Sequence, residues 1–300
     1  GSNILTANSG GLLFYNYVNG SGVYTGKYSI ASGTTATVNS GGLALYMKAN
    51  NVSDIGTALT SLKGAYTNPG NLTVNMAAGS SILYIDGVSG AANISALSTA
   101  GLTPGGMTGF FNFSGSGYSE YVMKGIDLTL DNTSDSNLNS STYSNIQFLQ
   151  SSVTVNNGVT VAGTQAGQVA IAQKNAVGGT VSGINITNNG TISLTGSGTT
   201  AIAGDFITMK NTATGSINLG AGSVGMYTAN GSIAVNEGAI ELGTGSVGMY
   251  GRNDFGSTAA AYGDRKINIE NQKDIKTISG GVTGNVTGIY TDNALTLTDA

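Results

Sequence analysis

The chain of 300 residues contains no cysteine, no histidine and no tryptophan, and only two prolines. Without Cys or His there is no thiol or imidazole nucleophile, no imidazole general base, no thiolate or imidazole zinc site and no disulfide framework. Any catalysis is left to carboxylates, Lys, Tyr or hydroxyls. Charge is scarce as well: 9% of residues are charged, against about 25% in ordinary globular domains. Ser, Thr, Asn and Gly must therefore make the surface polar. Eleven basic residues and a net charge of -4 cannot form the basic stripe that phosphate binding requires, which argues against a nucleic-acid partner. No apolar run approaches the roughly 20 residues of a membrane helix, and no charged segment precedes a short apolar one as in a signal peptide. The missing cysteines fit export by a route that disfavours folded disulfides, and equally fit a reducing compartment.

What the chain does contain is glycine, 48 residues of it, together with 40% hydrophobic residues. Glycine at that density argues against helices, because each interior Gly costs about 1 kcal/mol relative to Ala. Disorder is excluded by alternating aliphatic residues, scarce proline and low net charge. The chain begins Gly1-Ser2, which reads as a remnant of cloning, and stops within the pattern at Leu295-Thr296-Leu297-Thr298. It is therefore expected to be a piece of a longer protein.

Internal repetition is evident. Gly222-Ser223-Val224-Gly225-Met226-Tyr227 returns unchanged as Gly245-Ser246-Val247-Gly248-Met249-Tyr250, 23 residues later. Asn8 to Tyr15 returns as Asn39 to Tyr46 with six of eight positions identical, 31 residues later. An Asn-x-Gly unit followed by Ile or Leu starts at Asn8, Asn39, Asn188 and Asn236. Between residues 184 and 249 the alternation resolves into inward pairs: Ile184/Ile186, Ile192/Leu194, Ile207/Met209, Ile217/Leu219, Val224/Met226, Ile233/Val235, Ile240/Leu242 and Val247/Met249. Each pair marks a half-buried strand of three to five residues, and Gly, Asn, Ser or Thr fill the turns between. The pattern predicts an all-β chain: a parallel β-helix solenoid with about three short strands per coil of 23–26 residues, interrupted by loops and short helices. Such coils are stable only by stacking, since none buries its own face.

Two recurrent residues have two readings each. Asn188 and Asn236 form either a side-chain ladder between coils or isolated local turns. Tyr227 and Tyr250, pointing away from the Val/Met face, form either a sugar-binding platform or a structural stack along a corner.

The breaks in the pattern divide the chain into N-terminal coils over 1–86, an irregular excursion over 87–150 and regular coils over 151–300. A short helix is expected within 49–68, where Ile55, Leu59 and Leu62 follow Ser53 and Asp54 at helical spacing and Lys63 stands near the end. The excursion carries a possible helical turn at Ile94 to Leu97, the turn Thr103-Pro104-Gly105-Gly106 and the cluster Phe110, Phe111, Phe113, Tyr118 and Tyr121. Consecutive Phe residues favour a local mini-core over an exposed binding face. Asp131, Thr133, Asp135 and Asn137 alternate like cation ligands, but Ser136 and Thr142 stand where a calcium loop needs Gly and Glu, so no metal site is expected. The third break is a charged loop at about 251–266. Nine charged residues lie between Arg252 and Lys276, including both arginines of the chain. Arg252, Asp254, Phe255, Tyr262, Asp264 and Arg265 are the candidate ligand-binding residues, as polar anchors with aromatic flanks. The alternative is a solvated loop whose opposite charges satisfy each other.

No catalytic pattern is legible. Paired carboxylates for glycoside hydrolysis must lie about 5 to 9 Å apart; Glu237 and Glu241 fall on opposite sides of Ile240, and no two-Asp motif recurs at coil spacing. The expected protein is not an enzyme and carries no cofactor.

At Gly190 to Leu194, Gly215 to Tyr227 and Gly238 to Tyr250 the chain resembles the passenger domains of large fusobacterial autotransporter adhesins. The close likeness covers roughly residues 184 to 294, with looser copies nearer the start. The resemblance implies a right-handed β-helix, type V secretion through the outer membrane, display on the bacterial surface and an outer-membrane barrel in the parent protein. It implies host-cell glycans, host receptors or partner bacteria as binding partners, and virulence-related attachment as function. It does not extend to residues 87–150. A purely structural stalk and a polysaccharide-processing β-helix are the other two readings.

Overall fold

A computed structural model describes residues 4–17, 27–86, 91–102, 106–131, 146–175, 183–253, 266–278 and 284–292. The strands pair in parallel and stack coil upon coil, so the fold is a parallel β-helix solenoid. Contacts divide the chain into two compact units: residues up to Asp127 with the strand Ile146–Leu149, and residues from Leu128 to Asp131 with those from Gln150 on.

In the first unit, strands Ile4–Ala7, Thr34–Val38, Leu72–Met76 and Asn112–Gly115 form one sheet. Strands Leu12–Tyr17, Leu43–Lys48, Ser81–Asp86, Ser119–Lys124 and Ile146–Leu149 form another. Coil strands thus run through the segment whose sequence repeats poorly. In the second unit, an asparagine face contains Asn185–Asn188, Thr208–Asn211, Ile233–Asn236 and Asn268–Asn271. A middle face contains Thr191–Leu194, Ser216–Leu219, Ala239–Leu242 and Ile275–Thr277. A tyrosine face contains Val169–Lys174, Thr200–Asp205, Val224–Ala229, Val247–Arg252 and Thr287–Thr291.

Register makes the core. Ile192, Ile217, Ile240 and Ile275 fall in one inward column, and Leu194, Leu219 and Leu242 in the next. Ile192, Ile217 and Ile240 are completely buried. Each coil therefore removes the apolar surface of its neighbour from water, at about 25 cal/mol per Å². The corner between the middle and tyrosine faces turns on Gly198, Gly222 and Gly245, with φ of +66°, +64° and +73°. That is the left-handed region where a Cβ costs about 1–2 kcal/mol.

Three inward pairs differ from the expected alternation. On the asparagine face the buried residues are Ala234 and Asn236, while Ile233 and Val235 are half-buried and face outward. Asn236 lies in register with buried Asn211, and the period of two then carries Ala234 inward. On the tyrosine face each six-residue strand bends, so that two consecutive residues are buried, Gly225 with Met226 and Gly248 with Met249, rather than Val224/Met226 and Val247/Met249. A Cβ on Gly225 would lie 2.4 Å from the Gly248 carbonyl oxygen, so only glycine fits inside that bend.

Polar ladders run inside the coils. Asn188 Nδ2 donates to Asn211 Oδ1, Asn211 Nδ2 to Asn236 Oδ1 and Asn236 Nδ2 to Asn271 Oδ1, at 2.8, 2.8 and 2.7 Å. The first three asparagines are completely buried. The asparagines are thus a ladder, not isolated turns. Thr199, Ser223 and Ser246 form a second line, with Thr199 Oγ1 donating to Ser223 Oγ at 2.9 Å and the Ser223 amide to Ser246 Oγ at 2.9 Å. Thr228 is different: its hydroxyl is buried without a hydrogen-bond partner. Thr228→Val removes that desolvated group at nearly constant volume, so the variant is expected to gain about 0.5–1 kcal/mol. Urea unfolding would show this as a higher midpoint with an unchanged slope.

The first unit also holds the helix Ile55–Gly64, which buries Ile55, Ala58, Leu59 and Leu62. A single turn, Val52–Asp54, leads into it and is capped by Asn51, whose Oδ1 accepts the Asp54 amide at 3.1 Å. Lys63 closes the far end by donating to the Gly106 carbonyl at 3.1 Å. A second helix spans Ile94–Thr99. Phe111 is buried against Phe14, Tyr66 and Phe110, with centroids 5.8, 5.4 and 4.6 Å away. The aromatic cluster is therefore packed inward at its centre.

Candidate functional site

The tyrosine face recurs in both units. In the first, Tyr15, Tyr46 and Tyr84 stack in sequence, centroids 5.1 and 5.9 Å apart and planes within 16° and 10°. In the second, Tyr227, Tyr250 and Tyr290 follow at 5.2 and 5.4 Å, tilted by 57° and 30°. Parallel register fixes both ladders by placing each Tyr beside the next. Sugar recognition by stacking needs a free ring face. The middle rings, Tyr46 and Tyr250, have a ring on each side, so they offer edges and hydroxyls.

Those hydroxyls are engaged. Tyr46 Oη donates to Asp86 Oδ2 at 3.0 Å, and Tyr250 Oη donates to Asp292 Oδ2. In each case the carboxylate belongs to the next coil and follows that coil's tyrosine by two residues. The residue two after the donor tyrosine is basic: Lys48 stands in register with Asp86, and Arg252 Nε lies 3.8 Å from Asp292 Oδ2. A Tyr-x-basic coil followed by a Tyr-x-Asp coil thus builds the same constellation of phenol, carboxylate and cation twice. Asp86 and Asp292 are the members that sequence reading missed. Their signal was the offset from tyrosine, which Tyr84-Ile85-Asp86 and Tyr290-Thr291-Asp292 share with Tyr46-Met47-Lys48 and Tyr250-Gly251-Arg252.

The carboxylates shape the phenols. Burial, then the hydrogen bond and charge of Asp86, push Tyr46 up from 10.0 to about 12. Tyr84 is raised by burial and the Asp86 charge, and Tyr250 chiefly by its hydrogen bond to Asp292. A folded chain that keeps protons the unfolded chain releases loses stability as pH rises. For Tyr46 the stabilisation is complete below 10.0 and is lost as pH climbs to about 12. Asp86→Asn should bring part of the phenolate absorbance titration to lower pH and leave the rest unmoved. An unchanged curve would show that Asp86 does not hold the Tyr46 proton.

Of the predicted site residues, Arg252 is the exposed last residue of the strand Val247–Arg252. Asp254, Phe255, Tyr262, Asp264 and Arg265 lie outside the described residues. The chain is pinned where it leaves the strand: Asn253 Oδ1 accepts the Gly231 amide at 3.0 Å. Elsewhere carboxylates are paired with cations. Asp205 takes Lys174 at 2.8 Å and Glu237 takes Lys210 at 2.6 Å; such exposed pairs contribute about 0–1 kcal/mol. One carboxylate is inside the core. Glu120 is completely buried, accepting the Met107 amide at 2.7 Å and the Tyr121 hydroxyl, and burial raises Tyr121. In register Glu120 takes the inward place of Ile82, where it ties the turn at Met107 to the coil.

Among the described residues no group of three or more Asp or Glu is placed to hold a metal ion, and no helix is long and apolar enough to cross a membrane. Asp131 is described, but Thr133, Asp135 and Asn137 are not. Comparison with protein-family models, with curated proteins and with solved structures found no match for the chain. The residues themselves must carry the functional reading.

Proposed function

We propose that this chain is a non-catalytic adhesin segment, displayed on the bacterial surface by type V secretion, that attaches the cell to host glycans or receptors or to partner bacteria. What supports the reading most is the place of the charged segment in the sequence, directly after a strand end that is held. Arg252 Nε lies 3.8 Å from Asp292 Oδ2, which accepts the Tyr250 hydroxyl, and the Tyr250 ring lies between those of Tyr227 and Tyr290. Contact residues on a loop gain affinity when the base of the loop is held, because less conformational freedom is lost on binding. The recurrence of a phenol, a carboxylate and a cation on the first unit's tyrosine face supplies a second patch of the same chemistry. These groups suit hydrogen bonding and charge pairing with a polar partner, not stacking on a sugar ring.

The test is binding of the purified chain to epithelial cells and to partner bacteria, with galactosides or free arginine as competitors. A variant with residues 251–263 replaced by a short Gly-Ser turn is measured beside it. Competable binding that falls at least about tenfold in the variant, a loss of about 1.4 kcal/mol, is the expected result. Equal binding by both proteins would move the contact off this loop. Binding by neither would leave the chain as a stalk.

A further inference from the structure

Four Asn-Gly pairs stand in the sequence: Asn19-Gly20, Asn157-Gly158, Asn189-Gly190 and Asn230-Gly231. The first lies outside the described residues. An Asn-Gly pair favours attack of the glycine amide nitrogen on the asparagine side-chain carbonyl carbon, because glycine puts no side chain in the way and leaves the backbone free to turn. The fold decides whether that happens. The glycine N–H must be free to ionise, and the chain must have room to bring nitrogen and carbon together.

Two of the three described pairs are locked. Gly231 donates its amide to Asn253 Oδ1 at 3.0 Å, and Asn230 Nδ2 donates to Asp205 Oδ1 at 3.0 Å. Nucleophile and leaving group are both held there. Asn189 Oδ1 accepts the Thr212 hydroxyl at 2.9 Å, and Gly190 is buried so close to the preceding coil that a Cβ would lie 2.4 Å from the Val159 carbonyl oxygen. That pair has no room to turn.

Asn157-Gly158 differs in each respect. It is the centre of the turn between the strands Val153–Val155 and Thr160–Gly163, which the Val159 amide closes by donating to the Asn156 carbonyl at 3.1 Å. Both residues are exposed, and Gly158, with φ of +84°, has nothing within 4 Å of the place a Cβ would take. Among the described residues nothing accepts the Gly158 amide. Other corner glycines are tied down: Gly167, Gly198 and Gly222 donate to the Ser197, Ala221 and Thr244 carbonyls of the next coil at 2.9, 2.9 and 2.8 Å. Register explains the difference. Val155 pairs with Asn188 and Thr160 with Thr191, so the turn 156–159 is opposed only by residues 189–190. The next coil cuts the corner short and leaves the tip of this turn without a backbone to bond.

We propose that Asn157 is a site of spontaneous self-modification. The Gly158 nitrogen gives its proton to solvent and bonds to Asn157 Cγ; the Cγ–Nδ2 bond breaks, ammonia leaves and a succinimide ring closes. Water then opens the ring at either carbonyl, yielding aspartate or isoaspartate. The net change is side-chain amide plus water to carboxylate plus ammonium, so no oxidant, reductant or second protein takes part. The net charge of -4 falls by one, in a chain where charge is scarce. Isoaspartate also lengthens the backbone by a methylene, which the open turn can absorb ahead of buried Val159.

The experiment is incubation of the folded whole chain in heavy-oxygen water, followed by peptide mapping in ordinary water that separates asparagine, aspartate and isoaspartate. Label marks what reacts during the incubation. Asn157 should be converted at least about tenfold faster than Asn189 or Asn230, with isoaspartate the larger product. In urea the three sites should react at similar rates, and the rate at Asn157 should barely change. Asn157→Gln, an exposed substitution that leaves the coils intact, should remove the label from this peptide and leave the other two sites as they were. An unlabelled Asn157 in the folded chain, beside a reactive one in urea, overturns the proposal. So does a folded chain in which Asn189 or Asn230 keeps pace with Asn157. Label that persists in this peptide of Asn157→Gln would place the reaction at a neighbouring residue, and also overturn it.

Discussion

Replacing Asn211 by alanine should destabilise the second unit by about 3 kcal/mol, the sum of two buried groups left unpaired at about 1–3 kcal/mol each. Asn211 is fully buried, donates to Asn236 at 2.8 Å and accepts from Asn188 at 2.8 Å. Its loss strands the Asn188 amide, whose other acceptor is the Ser216 carbonyl at 3.3 Å, and the Asn236 carbonyl. The comparison that isolates burial is Asn39→Ala. Asn39 donates to Asn8 at the same 2.8 Å, but that pair is exposed, and water replaces what is removed, so at most about 1 kcal/mol should be lost. Asn211→Asp should cost more than Asn211→Ala. It sets a carboxylate against Asn236 Oδ1, and a buried charge is penalised beyond a missing bond. Denaturant midpoints for the three variants decide the matter. Equal losses at Asn39 and Asn211 would mean that the ladder owes nothing to its dryness.

Legibility followed chemistry that repeats within one strand. Ile192/Leu194, Ile217/Leu219 and Ile240/Leu242 announce a period of two, and their columns are where the periodicity put them. The Asn-x-Gly unit was a poorer guide because it marks two different corners. At Asn8 and Asn39 the asparagines are exposed and Gly10 and Gly41 have φ of +72° and +73°. At Asn188 and Asn236 the side chains point into the core and the glycines are held by close approach of the preceding coil. Asn211 and Asn271 complete the ladder without any Asn-x-Gly, so a motif search passes over them; what identifies them is the inward column. Ile233 and Val235 mislead for the same reason, since their hydropathy outweighs Ala234 and Asn236 in any alternation count. The candidate site was legible in part. Arg252 stood out as one of two arginines, whereas Asp292, 40 residues later, joins it only through the stacking of coils.

The glycine column beside the ladder yields the other large effect. A Cβ on Gly215 would fall 2.2 Å from Asn211 Oδ1 and 2.4 Å from the Asn188 carbonyl oxygen. Neither distance is tolerable, and the second involves backbone that is fixed by a strand. Overpacking of this kind costs about 1–3 kcal/mol, and Gly215→Ala belongs near the top of that range. Gly198 is the contrast. It has φ of +66° and open space where its Cβ would be, so Gly198→Ala should lose only about 1 kcal/mol of backbone strain. The double variant separates the two clashes. Asn211→Ala removes the nearer obstruction, so Gly215→Ala should cost less in that background, with a coupling of about 1 kcal/mol. Strict additivity would place the whole penalty on the Asn188 carbonyl, and would mean that the glycine column serves the spacing of the backbones while the asparagine ladder merely runs alongside it.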